Sequence, residues 1–155
     1  MKLLIRPPRE EEFEEIYAVY RSAFDRLKGV IDPPSSAEQQ SPASLSQARR
    51  HSDVLVALLQ GRIVGCVFYR GEDDGLYLYR LAVLPDEGGR GIASALVRGV
   101  EAVATVNGAG HVALNVRLNL PRNQSLFTRL GYAEVSRHAH DGYDHDTFMR
   151  MEKPI

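Results

Sequence analysis

A mixed α/β domain is the fold class that this sequence predicts. Apolar residues recur at helical steps in two long windows, 13–27 and 92–103. Short runs rich in β-branched and aromatic residues lie before, between and after those windows, which interleaves strands with helices around a sheet. At 155 residues the chain has the length of one domain with one core, so residues 1–155 are expected to form a single unit.

Each element follows from its residues. Leu3 to Arg6 reads as a short strand. Phe13, Ile16, Tyr17, Tyr20, Phe24 and Leu27 then mark one face of a helix, and Glu10, Glu11 and Glu12 place negative charge at its positive end. Gly29 to Ser46 is rich in Pro, Ser, Gln and Ala and reads as a mobile surface connection, with a short helix expected only within Ala43 to Arg50. Asp53 to Leu59 and Ile63 to Tyr69 flank Gln60-Gly61, a dipeptide suited to a tight reversal, and form an antiparallel hairpin. Leu76 to Leu84 is a further strand closed by Pro85, and Ile92, Ala95, Leu96, Gly99, Val100 and Val103 give the second long helix. His111 to Val116 is a strand, and Asn123 to Leu130 a short helix closed by Gly131. Tyr132 to His140 and Thr147 to Glu152 are the last two strands.

Composition narrows the function classes. Lys and Arg number 19 against 20 Asp and Glu, which leaves no basic excess to hold a phosphate polymer, so nucleic acid is not an expected partner. No run approaches the roughly eighteen apolar residues of a spanning helix, so no membrane association is expected. Cys66 is the only cysteine, which excludes an intrachain disulfide, and a cytoplasmic location is the expectation. Cys66 sits among Ile63, Val64, Val67 and Phe68, the setting of a small core hydrophobe rather than a nucleophile.

The chemistry concentrates in the turn between the Leu76–Leu84 strand and the following helix. There Gly88, Gly89, Arg90, Gly91, Ile92, Ala93 and Ser94 keep side chains away from the backbone, so several N–H groups can point at one anion. A helix N-terminus adds unpaired N–H groups and a partial positive charge, and Arg90 can add a full one. The bland alternative is that glycine merely permits the turn. Neither common phosphate loop fits: no Gly-Lys-Ser/Thr ending is present, and Ser94 stands where the dinucleotide fingerprint needs its third glycine.

The run resembles motif A of the GNAT superfamily of acetyltransferases: Gln/Arg, two residues, Gly, one residue, Gly/Ala, after a strand ending Val-x-Pro. Leu81, Ala82, Val83, Leu84 and Pro85, then Gly91, Ile92 and Ala93, match it, and Gly88 departs from it at the Gln/Arg position. Ser125 to Tyr132, with Leu130, Gly131 and Tyr132 at its end, is similar to the family's second signature, a short helix ending Leu-Gly-Phe/Tyr. Two ordered signatures in the right secondary structure are more specific than either alone.

The resemblance implies a mostly antiparallel twisted sheet of six to seven strands flanked by about four helices. It implies acetyl-CoA as co-substrate, with the pyrophosphate on Gly88 to Ser94 and the pantetheine arm along the backbone of Leu81, Ala82 and Val83. Asn123 and Phe127 complete that seat. It also implies direct transfer to a primary amine of a small molecule or peptide. A bulge near Leu81 would aim an N–H at the thioester oxygen. In place of the family's frequent carboxylate base or water chain, Tyr77 and Tyr79 are the candidates, on the face of Leu81 and Val83 by strand alternation. Many members carry a tyrosine acid where this chain has Phe127, which leaves Ser125 or Tyr132 as donors, or an unprotonated thiolate. Asn119 and Asn123 are read first as caps of the short helix and second as partners of pantetheine amides.

His138, His140, Asp141, Asp144, His145 and Asp146 crowd the last hairpin. Their spacing matches no standard zinc pattern, so no metal is expected, and contact with the acceptor by Tyr143 or these side chains is the preferred reading. A homodimer is a state the resemblance allows. The rival to an enzyme is a non-catalytic acyl-CoA sensor of the same fold.

Overall fold

A computed structural model describes residues 2–155. Seven strands form one sheet: β1 (Leu3–Arg6), β2 (Asp53–Leu59), β3 (Arg62–Glu72), β4 (Gly75–Val83), β5 (His111–Arg117), β6 (Ala133–His138) and β7 (Phe148–Pro154). Their spatial order is β1-β2-β3-β4-β5-β7-β6, and every neighbouring pair is antiparallel except β4 with β5. Four helices flank it: α1 (Phe13–Asp25), α2 (Pro42–Gln47), α3 (Ile92–Asn107) and α4 (Pro121–Arg129). Among the described residues no helix is long and apolar enough to cross a membrane.

The sheet separates two cores. On one face α1 and α2 bury Phe13, Ile16, Tyr20 and Leu45 against Val56, Cys66 and Phe68. On the other, α3 and α4 bury Leu96, Val100 and Phe127 against Val67, Leu78 and Leu114. Strand alternation explains the division, since Val67 and its neighbours Cys66 and Phe68 point to opposite faces. Cys66 is fully buried, and burial pushes its thiol up to about 12, which suits a core residue.

Local signals place the turns where the sequence puts them. Gln60 and Gly61 both take positive φ, 52° and 77°, the requirement of the two-residue hairpin turn whose twist matches its strands. Between β1 and α1, the acidic run forms a single 3₁₀ turn (Glu10–Glu12) before the helix proper. Glu12 closes it by accepting both guanidinium nitrogens of Arg6 at 2.8 Å and the backbone N–H of Arg9 at 2.7 Å.

The segment 29–46 departs from the expected plain surface connection. Ser35 caps a 3₁₀ turn over Ser36–Gln39, Ser41 caps α2, and Ile31, Ala37 and Leu45 are buried. Arg21 donates to the Ala37 carbonyl at 2.9 Å, and Asn119 donates to the Val30 carbonyl at 3.2 Å. Its Pro-, Ser- and Gln-rich composition obscures three apolar residues spaced too widely to show a period.

Candidate active site

The site begins where β4 and β5 part. Their parallel pairing holds from Gly75–His111 to Tyr77–Ala113 and then stops, although β4 runs on to Val83 and β5 to Arg117. β4 remains bonded to β3 and β5 to β7 on their outer edges, so the strands splay and expose backbone on their inner edges. The opening is a cleft of about 580 Å³, lined by β4 from Leu78 to Val83, by β5 from Leu114 to Arg117, and by Asn123, Leu126 and Phe127 of α4.

A bulge in β4 shapes its wall. Phe68 faces Tyr79 and Cys66 faces Ala82, so β4 spends one extra residue there, and Arg80 takes a φ of 51°. The bulge breaks the regular alternation that would put Tyr77 and Tyr79 on the face of Leu81 and Val83. Tyr79 packs with Ala82 against the α1-side core, whereas Leu81 and Val83 pack against the α3-side core. The Tyr79 hydroxyl is 2.5 Å from the hydroxyl of buried Ser52. Tyr77 stacks on Tyr79 at 5.9 Å but does not line the cleft, and burial pushes its phenol up, away from any role as base.

At the far end of β4 the chain makes a 3₁₀ turn over Pro85–Glu87 and enters α3 through the glycines. Gly89 and Gly91 have φ of 79° and 74°, and a Cβ on either would meet nothing within 4 Å. Glycine is therefore required there by backbone conformation, and the space beside the turn is open. No side chain caps α3, whose N-cap is Gly91, so its first N–H groups, on Ile92, Ala93 and Ser94, have no intrahelical acceptor. Ile92 buries its side chain in the core while Ala93 lines the cleft. Arg90 is exposed, its Nε lying 3.2 Å from Glu87.

The other candidate residues divide. Phe127 lines the cleft, buried edge-to-face on Tyr132 at 5.9 Å, and Asn123 lines it from the first turn of α4. Ser125 is exposed and does not line it. Tyr132 donates its hydroxyl to Glu101 at 2.8 Å and does not line the cleft, and burial pushes its ionisation up. Neither asparagine caps α4: Leu120 is the N-cap without a side-chain bond, and Asn119 is turned to Val30. Gln124, which the sequence did not single out, donates instead to the carbonyls of Arg117 and Leu118 at 3.0 and 2.9 Å.

The last hairpin stays outside the cleft lining. Tyr143 donates to Asp32, tying the hairpin to the segment after α1. His138 and His140 pack on Phe148 at 5.4 and 4.9 Å, and none of the hairpin's histidines or aspartates lines the cleft. Burial lowers the His140 imidazole, with the positive charge of Arg117 adding to the effect.

Four arginines of the cleft escaped the sequence reading, Arg26, Arg80, Arg117 and Arg122, and only Arg80 carried a local signal. The available signal was an arginine inside an otherwise apolar strand, Leu76 to Val83.

Known proteins share this arrangement. PaiA N-acetyltransferase from Thermoplasma acidophilum, solved in complex with coenzyme A, superposes with a TM-score of 0.80 at 20% identity, over 100% of both chains. The ribosomal-protein-S18-alanine N-acetyltransferase from Escherichia coli gives 0.78 at 18% identity, over 99% of this chain and 94% of that one. An N-acetyltransferase from Staphylococcus aureus Mu50 gives 0.77 at 15%, over 99% of each. At these identities the likeness is one of fold. Residues 13–132 match the acetyltransferase (GNAT) family, a span of most of the chain that includes the glycine turn and both walls of the cleft. The chain therefore belongs to the acetyltransferase (GNAT) family, whose co-substrate is acetyl-CoA.

Proposed function

We propose that this acetyltransferase acts on a primary amine, of a small molecule or a peptide, which attacks directly while both substrates are bound. The observation that carries the reading is a cleft with unpaired β4 backbone on one side and an uncapped glycine entry to α3 at its end. Residues fit each part of the co-substrate. The N–H groups from Gly88 to Ser94 would hold the pyrophosphate, with Arg90 adding charge. The main chain of Leu81, Ala82 and Val83 would pair with the pantetheine amides as an added strand does, while Asn123 and Phe127 bound the arm from α4. Acetyl-CoA supplies an activated acyl group as a thioester.

The protein's own contribution is then position and electrostatics. The bulge at Arg80 redirects the β4 backbone at the middle of the cleft, which is where an N–H can face a developing oxyanion. No carboxylate lines the cleft among the described residues, so the amine must reach it deprotonated or lose its proton to water. Phe127 offers no proton to a departing thiol, and a thiol pKa of about 8.5 makes the thiolate an acceptable leaving group, the more so beside arginines.

Thermal melting with acetyl-CoA at a hundred times its Kd should raise stability by about 2.7 kcal/mol, followed by amine-dependent release of free thiol. Phe127→Tyr should raise the rate of release if proton donation limits turnover. No shift at millimolar acetyl-CoA would overturn the proposed seat, and a shift with no thiol release from any amine would overturn transfer.

A further inference from the structure

The charge of the cleft is one-sided. Arg26, Arg80, Arg117 and Arg122 line it, and no aspartate or glutamate does. An acceptor bearing several positive charges would enter with no counter-charge and with arginines on each side, an arrangement that costs affinity wherever water is displaced.

The co-substrate's phosphates do not account for all four cations. The glycine turn enters α3, which packs on one face of the sheet. Arg80 lies toward the other face: its guanidinium carbon stands 5.1 Å from the ring centre of Phe68 and 5.2 Å from that of Tyr79, both in the α1-side core. Its Nη1 is without solvent and without a hydrogen-bond partner among the described residues, although buried Tyr20 lies beside the same guanidinium and interacts with it. A buried guanidinium nitrogen with no acceptor is expensive, and a ligand oxygen would repair it. Arg117, at the end of β5, is a second cation of the cleft, with Asp32 and Tyr143 near it outside the lining.

We infer that the acceptor carries a carboxylate next to its amine, as a free amino acid does, and that Arg80 receives that carboxylate. Arg80 is itself the bulge residue, so a group held by its side chain lies close to the backbone that faces the thioester. Only an amine a few bonds from its carboxylate can meet both. The inference rests on the acetyl-transfer reading and narrows its acceptor class.

The test compares three acceptor sets under saturating acetyl-CoA: the common L-amino acids, the same compounds as α-carboxamides, and unbranched aliphatic diamines. The best free acid should show a kcat/KM roughly ten- to a hundred-fold above its own carboxamide, the range expected for a charged hydrogen bond. The carboxamide's amine is the less basic of the two, so its larger free-amine fraction biases against this result. Arg80→Gln should bring the ratio to within about twofold, and Arg80→Lys should restore part of the preference. Carboxamides or diamines that match the acids, or a preference that survives in Arg80→Gln, would overturn the assignment. If acetyl-CoA binds and no acceptor releases thiol, the transfer reading falls separately. Calorimetry of the amino acids on the coenzyme A complex then decides the carboxylate site: heat that Arg80→Gln lacks supports it, and no heat overturns it.

Discussion

Gly91 combines a left-handed backbone, an open face and the start of a helix with no side-chain cap. An aspartate there can tolerate the φ better than most residues, but its carboxylate would occupy the anion seat. Gly91→Asp is expected to weaken acetyl-CoA binding at least about a hundredfold by titration calorimetry, the scale of a lost charge-assisted contact plus repulsion. An unchanged Kd would remove the turn as the phosphate seat. Much of this residue was legible beforehand, because glycine spacing after a strand is a local property. Asn119 and Asn123 were not legible in the same way. Asparagine before a helix favours capping, yet Leu120 takes the N-cap position and Asn119 is drawn to Val30, 89 residues away in sequence.

Between elements, the closest approach that positions the turn is that of β3 to α3. A Cβ on Gly65 would sit 3.0 Å from Leu96 Cδ1, 3.1 Å from the Ala82 carbonyl and 3.1 Å from Ile92 Cγ2. The Ala82 carbonyl on β4 cannot yield as a side-chain tip can, so Gly65→Val should strain the β3–β4 pairing while crowding the Leu96 and Ile92 tips of α3. Overpacking of this kind costs about 1–3 kcal/mol, read as a lower denaturant midpoint at unchanged m-value. Because Ile92 opens α3, the same variant should also weaken acetyl-CoA binding. A wild-type midpoint and Kd would show that α3 has slack. The existence of β3 and α3 follows from their apolar periods, but their separation depends on which small residue of one meets which large residue of the other.

Across the molecule, Glu72 fastens three strands at the end where β4 and β5 still pair. From the end of β3 it accepts the guanidinium of Arg150 on β7 and lies 3.0 Å from Nε2 of His111 on β5. The Arg150 hydrogen bonds hold its carboxyl below the ordinary value of 4.5, followed by that of His111. A carboxyl depressed in the folded state contributes stability above its unfolded pKa and loses it as pH falls through the folded value. Glu72→Gln should therefore cost about 1–3 kcal/mol at neutral pH, and its deficit relative to the wild type should shrink below about pH 4.5. A deficit independent of pH would assign the effect to packing rather than charge.

The sequence by itself determined the element order, the helix faces, the Gln60-Gly61 reversal, the burial of Cys66 and the family. All of these rest on local periodicity, on backbone conformations open chiefly to glycine, or on two short signatures. Tertiary structure decided the cleft. One extra residue in β4 turned Tyr79 away from Leu81 and left Arg80 at the bend, beyond the point at Tyr77 where β4 and β5 part. Alternation is a rule within one strand, whereas a bulge is defined only against the register of the partner strand, and β5 reaches β4 only after the whole of α3. The composition likewise showed a chain near neutral, and only folding gathered four arginines around one opening and left the carboxylates elsewhere.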